Sequence, residues 1–247
     1  MRGQYLMLLP FVTLLGVFAQ STPEVGHVEL LRFDTLLREH NIELTKPALL
    51  RALKNPNSDV RFLSAMKLAE DKVTDAIPAI RQAVVEEKVP RARVNIALAL
   101  GLLGDQTGKI ELKEMCADRD FVPEFRLYAV RYMFDLHSQD DPDCLAAAEE
   151  IVQSKDVSFG DRISALGLLP LFQDLTADES QRIFNLVLAC LDNPEPVVQM
   201  AASNALASLG NSAAIPHLEA AIARAQEQGT RAVFEADVTK LRKNAKQ

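Results

Sequence analysis

Residues 60–69 read Val60-Arg61-Phe62-Leu63-Ser64-Ala65-Met66-Lys67-Leu68-Ala69, and the pattern comes back four more times. It returns at 92–101 around Arg93, at 125–133 around Arg126, at 161–169 around Arg162 and at 198–206 around Gln199, which stands in the arginine's place. Aligned on that position, the steps are 32, 33, 36 and 37 residues. Self-similarity at this period marks stacked supersecondary units. Apolar residues follow the arginine at +1, +4 and +7: Phe62, Ala65, Leu68; Val94, Ala97, Leu100; Leu127, Val130, Met133; Ile163, Leu166, Leu169. That spacing is the stripe of a core-facing helix.

Between these helices lies a second kind. Its openings are Ala76-Ile77-Pro78-Ala79-Ile80 and Ala214-Ile215-Pro216-His217-Leu218, with Pro47 and Pro142 starting two others. Proline is tolerated in a first helical turn, where its missing N–H has no intrahelical partner anyway. The helices without the proline align at Leu112, Met115, Cys116 and at Val187, Cys190, Leu191. Turns such as Asn55-Pro56-Asn57-Ser58-Asp59 and Asp192-Asn193-Pro194-Glu195-Pro196 separate the two kinds with residues that cap and break helices. Gly104 and Gly210 sit where a helix ends in the left-handed conformation. Each unit is therefore helix, turn, helix. One such pair cannot bury its apolar face alone, and stacked neighbours can.

The motif Asn57-x-Asp59-Val60-Arg61-x-x-x-Ala65, the Ile-Pro openings and Leu206-Ala207-Ser208-Leu209-Gly210 resemble the HEAT-repeat family, in particular its short bacterial repeats of the phycobilin-lyase type. The resemblance spans about 45–225, and the third and fourth units are degenerate. It implies an all-α fold, a right-handed α-solenoid of about five two-helix repeats over 45–229. Residues 27–44 read as an N-terminal cap helix and 230–247 as a C-terminal cap helix and tail, as the atypical ends of a solenoid require. In the family the repeated arginine is structural and pairs with an aspartate of an adjacent turn. Arg61, Arg93, Arg126 and Arg162 are assigned that role.

The first residues carry an address. Arg2 is the only charge before Glu24, and residues 5–19 are uncharged. Fifteen residues with an internal Pro10 are short for a membrane span and suit a signal peptide cut after Ala19, leaving 20–26 as a linker. An uncleaved membrane anchor is the other reading, and the only route to a membrane partner. An exported chain meets an oxidising compartment. Cys116, Cys144 and Cys190 all fall on helical stripes. They read as small buried hydrophobes, with a Cys116–Cys144 disulfide as an open alternative.

Composition and motifs narrow the chemistry. Twenty-seven basic against 34 acidic residues give a net charge of −7, which disfavours a nucleic-acid partner. None of the four histidines pairs with another His or Cys at metal-ligand spacing, and none is followed by the Glu of an iron-binding dyad. No Gly-x-Ser-x-Gly elbow or phosphate loop occurs. The expectation is a non-catalytic scaffold, with no cofactor or metal, that binds a protein or peptide. A lyase-like enzyme or cofactor-binding solenoid and a self-assembling or membrane-anchored subunit are the alternatives.

In the family the arginine-bearing helices line the concave side. Positions +2, +5 and +6 lie off the core stripe and are expected to face that groove. They include Leu63 and Lys67 in the first unit and Asn95 in the second. The third unit concentrates Tyr128, Arg131 and Tyr132 there, residue types that dominate binding energy. Irregular packing in a degenerate repeat is the competing explanation for that cluster.

Overall fold

In the computed structural model, which describes residues 33–245, all the regular structure is helical. The proposed signal segment 1–19, the linker 20–26 and the start of the N-terminal helix lie outside the described residues. Helical residues 33–39 form α1. Six pairs follow: α2 (Lys46–Ala52) with α3 (Ser58–Glu70), α4 (Ile77–Glu86) with α5 (Pro90–Leu102), α6 (Gln106–Ala117) with α7 (Pro123–Asp135), α8 (Pro142–Gln153) with α9 (Phe159–Leu168), α10 (Ala177–Ala189) with α11 (Pro196–Leu209), and α12 (Ile215–Arg224) with α13 (Gln228–Asn244).

The helices start where their caps sit. Asn57 accepts from the N–H of Asp59, Asp141 from those of Asp143 and Cys144, and Thr176 with Glu179 closes a reciprocal capping box. Gly104 and Gly210 end helices with φ of +81° and +71°. Proline shapes the fourth pair: Pro170 falls in a single 3-10 turn at Leu169–Leu171, where α9 stops. A similar turn at Cys190–Asp192 ends α10, so Cys190 is buried at a helix end and outside the α-helical stripe.

Second helices pack on one another in a continuous row, α3 on α5, α5 on α7, α7 on α9, α9 on α11 and α11 on α13, with the first helices layered on them. This is an α-solenoid. The stripes meet at the centre: Ala65, Leu68, Val94, Ala97, Leu100, Val130, Leu166 and Leu169 are fully buried, and Ile163 is half-buried. Each large apolar side chain so buried is worth about 1.5–3 kcal/mol. At the α5–α6 corner backbone approaches backbone closely. A Cβ on Gly108 would run into the backbone of Gly101 and Ala97.

The two layers are joined along the array by different forces. In the second-helix layer neighbouring helices meet mainly through buried apolar side chains, with single polar contacts such as Arg91–Asp59, Tyr132–Asn95 and Ser203–Asp237 between them. In the first-helix layer ion pairs link each step to the next: Lys46–Asp75, Arg81–Asp105, Lys113 with Asp141 and Asp143, Arg182–Glu149 and Arg224–Asp192. Between α6 and α8 there is also a covalent link, the Cys116–Cys144 disulfide, with Cα atoms 4.8 Å apart. Of the two sequence readings of these cysteines, the bonded one holds. Cys190 is a free buried thiol. No helix among the described residues is long and apolar enough to cross a membrane.

Candidate functional site

The repeated arginine sits in the first turns of each second helix, and Arg61, Arg126 and Arg162 reach back to the end of their own first helix or the turn that follows it. Arg61 Nη1 donates to the carbonyls of Asn55 (2.7 Å) and Pro56 (3.0 Å), while Nε and Nη2 grip the Glu87 carboxylate at 2.6 and 2.7 Å. Arg93 pairs with Glu111 at 2.8 Å. Arg126 donates to Cys116 O and to Glu150, both at 2.7 Å, and Arg162 donates to the carbonyls of Val152 and Ser154. Gln199 does the same with Asn193 O at 2.6 Å. Arg126 and Arg162 thus satisfy helix-end carbonyls that have no intrahelical partner, and Arg61 does the same for carbonyls of the turn beyond α2. The expected aspartate partner is corrected here: the carboxylates are glutamates, whose longer stems span between units. Burial pushes Glu87 and Glu150 up, but Arg61 with the Val89 and Lys88 amides, and Arg126 with Arg119, together outweigh it and hold both carboxyls below their usual range.

Sequence reading missed a sixth member. Arg231 donates to Ala225 O at 2.9 Å, again six residues back. The signal was available, since Arg231 follows Gln199 by 32 residues.

The groove positions divide. Leu63 is 3% exposed, packed among second helices rather than open to a partner. Lys67 is 9% exposed, and its ammonium is held by Asp34 of α1, Glu70 and Asp71 at 2.9–3.3 Å. Burial pulls that ammonium down, and the hydrogen bonds it donates to Asp71, Asp34 and Glu70 reverse it, so its pKa lies above the ordinary lysine value. Both residues therefore belong to packing, because the first second-helix is covered by α1 and by its neighbour.

The third unit is different. Phe125, Tyr128 and Tyr132 form an aromatic stripe along α7, with ring centroids 5.8 and 6.2 Å apart. Tyr132 is held in place: its hydroxyl donates to Asn95 Oδ1 of α5 at 3.0 Å, and Asn95 Nδ2 donates to Arg91 O at 2.7 Å. Burial pushes the Tyr132 phenol up to about 12. Tyr128 lies further out, half-buried, with Arg131 exposed beside it. On the neighbouring helix α9 the positions in register with Tyr128 and Arg131 are Ser164 and Gly167, both exposed, with exposed Gly160 one turn earlier and half-buried Leu168 in the place of Tyr132. A Cβ on Gly167 would meet nothing within 4 Å. Exposed Phe159 and Leu171 lie at the two ends of that helix. The result is an aromatic ledge on α7 beside a shelf on α9 almost without side chains. Phe125 was missed as part of the ledge, although its spacing of three and then four residues to Tyr128 and Tyr132 is visible in the sequence. Among the described residues, no three His, Cys, Asp or Glu side chains gather as a metal site.

The family model for HEAT repeats matches residues 46–133 and 160–236. The chain belongs to the HEAT-repeat family. Its repeats thus have the build of a scaffold, the common use of HEAT arrays. Among solved structures this HEAT-repeat chain is similar to that of an engineered protein, at 17% identity and a TM-score of 0.46, over 79% of this chain and 96% of the other. No curated protein matches it.

Proposed function

We propose that the chain is an exported HEAT-repeat scaffold that binds a protein or peptide on the exposed, concave face of its second-helix layer, without making or breaking a bond. The observation that carries this is the ledge-and-shelf step between α7 and α9. A shelf of Gly160, Ser164 and Gly167 lets a backbone or flat side chain approach closely, while Tyr128 and Arg131 supply stacking and a cationic hydrogen-bond fork. Tyr132 is already fixed by Asn95, so little conformational entropy is lost there on binding. Export is supported by the uncharged segment 5–19 and by the Cys116–Cys144 disulfide, a bond that persists in oxidising compartments. Mass determination of the N-terminus tests the cut, which should leave Gln20 first.

The site is tested with Tyr128→Ala and Arg131→Ala. Tyr132→Ala is unsuitable, because its partly buried ring and its bond to Asn95 mix folding with binding. A partner co-purified from the native host should bind each variant about tenfold or more weakly, the size of a hot-spot loss, at unchanged melting temperature. Full affinity in both variants would remove the ledge from the proposal.

A further inference from the structure

The junction between the fifth and sixth pairs lacks what fills the first. Placed in register, Asn55, Pro56, Arg61 and Glu87 correspond to Asn193, Pro194, Gln199 and Ala225. In the first junction the Arg61 guanidinium lies between two helix-end carbonyls and the Glu87 carboxylate. In the fifth, both halves of that ion pair are shorter. Gln199 takes only Asn193 O, and the Pro194 carbonyl receives no hydrogen bond among those found between described residues. A cleft of about 410 Å³ occupies the place, lined among others by Asp192, Pro194, Gln199, Arg224, Ala225 and Glu227.

Its chemistry suits a cation. Two carboxylates, Asp192 and Glu227, line it with one cation, Arg224, whose charge Asp192 already holds at 2.8 Å, while nearby Arg231 is engaged by Ala225 O. The carbonyl ends of the Cys190–Asp192 turn and of α12 add partial negative charge. Thr230, on the same wall, has a buried hydroxyl without a partner. A guanidinium brings five N–H donors in a planar fork that can meet a carbonyl and a carboxylate together, which an ammonium does not. The same chain already seats a guanidinium at the equivalent place in its first junction. We infer that this cleft receives an arginine side chain from a partner polypeptide. The inference stands apart from the ledge on α7 and survives or fails without it.

Calorimetry on the full chain with acetyl-Gly-Arg-Gly-amide tests it. Saturable binding is expected, with the lysine and citrulline versions about tenfold weaker or worse, as loss of a charged fork predicts. Free L-arginine should also bind more weakly, because its α-carboxylate would lie beside the carboxylates of Asp192 and Glu227. The double variant Gln199→Arg, Ala225→Glu rebuilds the first junction's pair inside the cleft and should abolish binding while circular dichroism stays unchanged. Glu227→Gln, an exposed change that leaves the fold alone, should weaken binding severalfold. Equal affinity for the citrulline peptide, equal affinity for free arginine, or undiminished binding by both the Glu227→Gln chain and a folded double variant would overturn the assignment.

Discussion

The first and fifth junctions of this solenoid are built on the same plan and finished differently. In the first, Arg61 and Glu87 close the seam between pairs with four hydrogen bonds from one guanidinium. In the fifth, Gln199 makes one and Ala225 none of that kind, and the seam stays open. Acid groups follow the same divide. Glu87 is held below its usual range by Arg61 against the pull of burial. Asp237, which joins α13 to α11 by accepting from Ser203 Oγ at 2.6 Å, is pushed above its usual range by burial, which outweighs that bond and Lys240. A repeat array therefore tolerates an unfilled seam, provided the apolar stripe continues beneath it. Here it does, through buried Val198, Ala202, Leu206, Leu218 and Phe234.

The strongest way to break the comparison is Glu87→Ala. Its carboxylate is 1% exposed and Arg61 is 19% exposed, so removal strands a largely buried cation. The expected cost is about 3 kcal/mol by urea denaturation, against less than about 0.5 kcal/mol for Ala225→Ser at the open seam. Equal costs at the two seams would show that the Arg61–Glu87 pair holds nothing.

A second test separates the seams by pH. Glu87 has a lowered folded-state pKa, so its contribution is full above the unfolded value of about 4.3 and is lost as pH falls through the folded value. Asp237 has a raised one. Its favourable contribution is present at low pH and is lost as pH rises from about 3.9 through the folded value. Asp237→Asn should therefore raise the melting temperature at pH 7 and lose that advantage at pH 3, with Ser203 bonding the amide oxygen. A gain independent of pH would refute burial as the cause.

The smallest effect is expected where the two ends are alike. Lys46–Asp75 and Arg224–Asp192 are both solvent-exposed pairs of the first-helix layer. Asp75→Ala and Asp192→Ala should each change stability by no more than about 0.5 kcal/mol, less at high salt. A larger loss at either end would mean that the lace of ion pairs carries weight in the array.

Much of this was legible in the sequence because burial imposes a period. The +1, +4, +7 stripe names core residues since only a helical repeat of apolar side chains can face the layer beneath. The arginine positions were legible for the same reason, but their partners were not, because a guanidinium's reach depends on loop lengths. The groove positions failed where a neighbour intrudes: Leu63 and Lys67 look free on a helical wheel, yet adjacent helices cover them. Arg231 escaped because α13 keeps only part of the stripe: Thr230, Phe234 and Val238 are buried at −1, +3 and +7, while Ala232 at +1 and Glu235 at +4 are exposed. The cleft at Gln199 was visible only as a substitution in the arginine series. Its meaning required knowing that Glu87 and Ala225 occupy the same place.

The disulfide has a topological result. Cys116 and Cys144 bracket α7 entirely. Tension applied between the two chain ends would pass through the sulfur bridge and bypass residues 117–143. Whatever pulls on this protein, the helix that carries the tyrosines is out of the line of force.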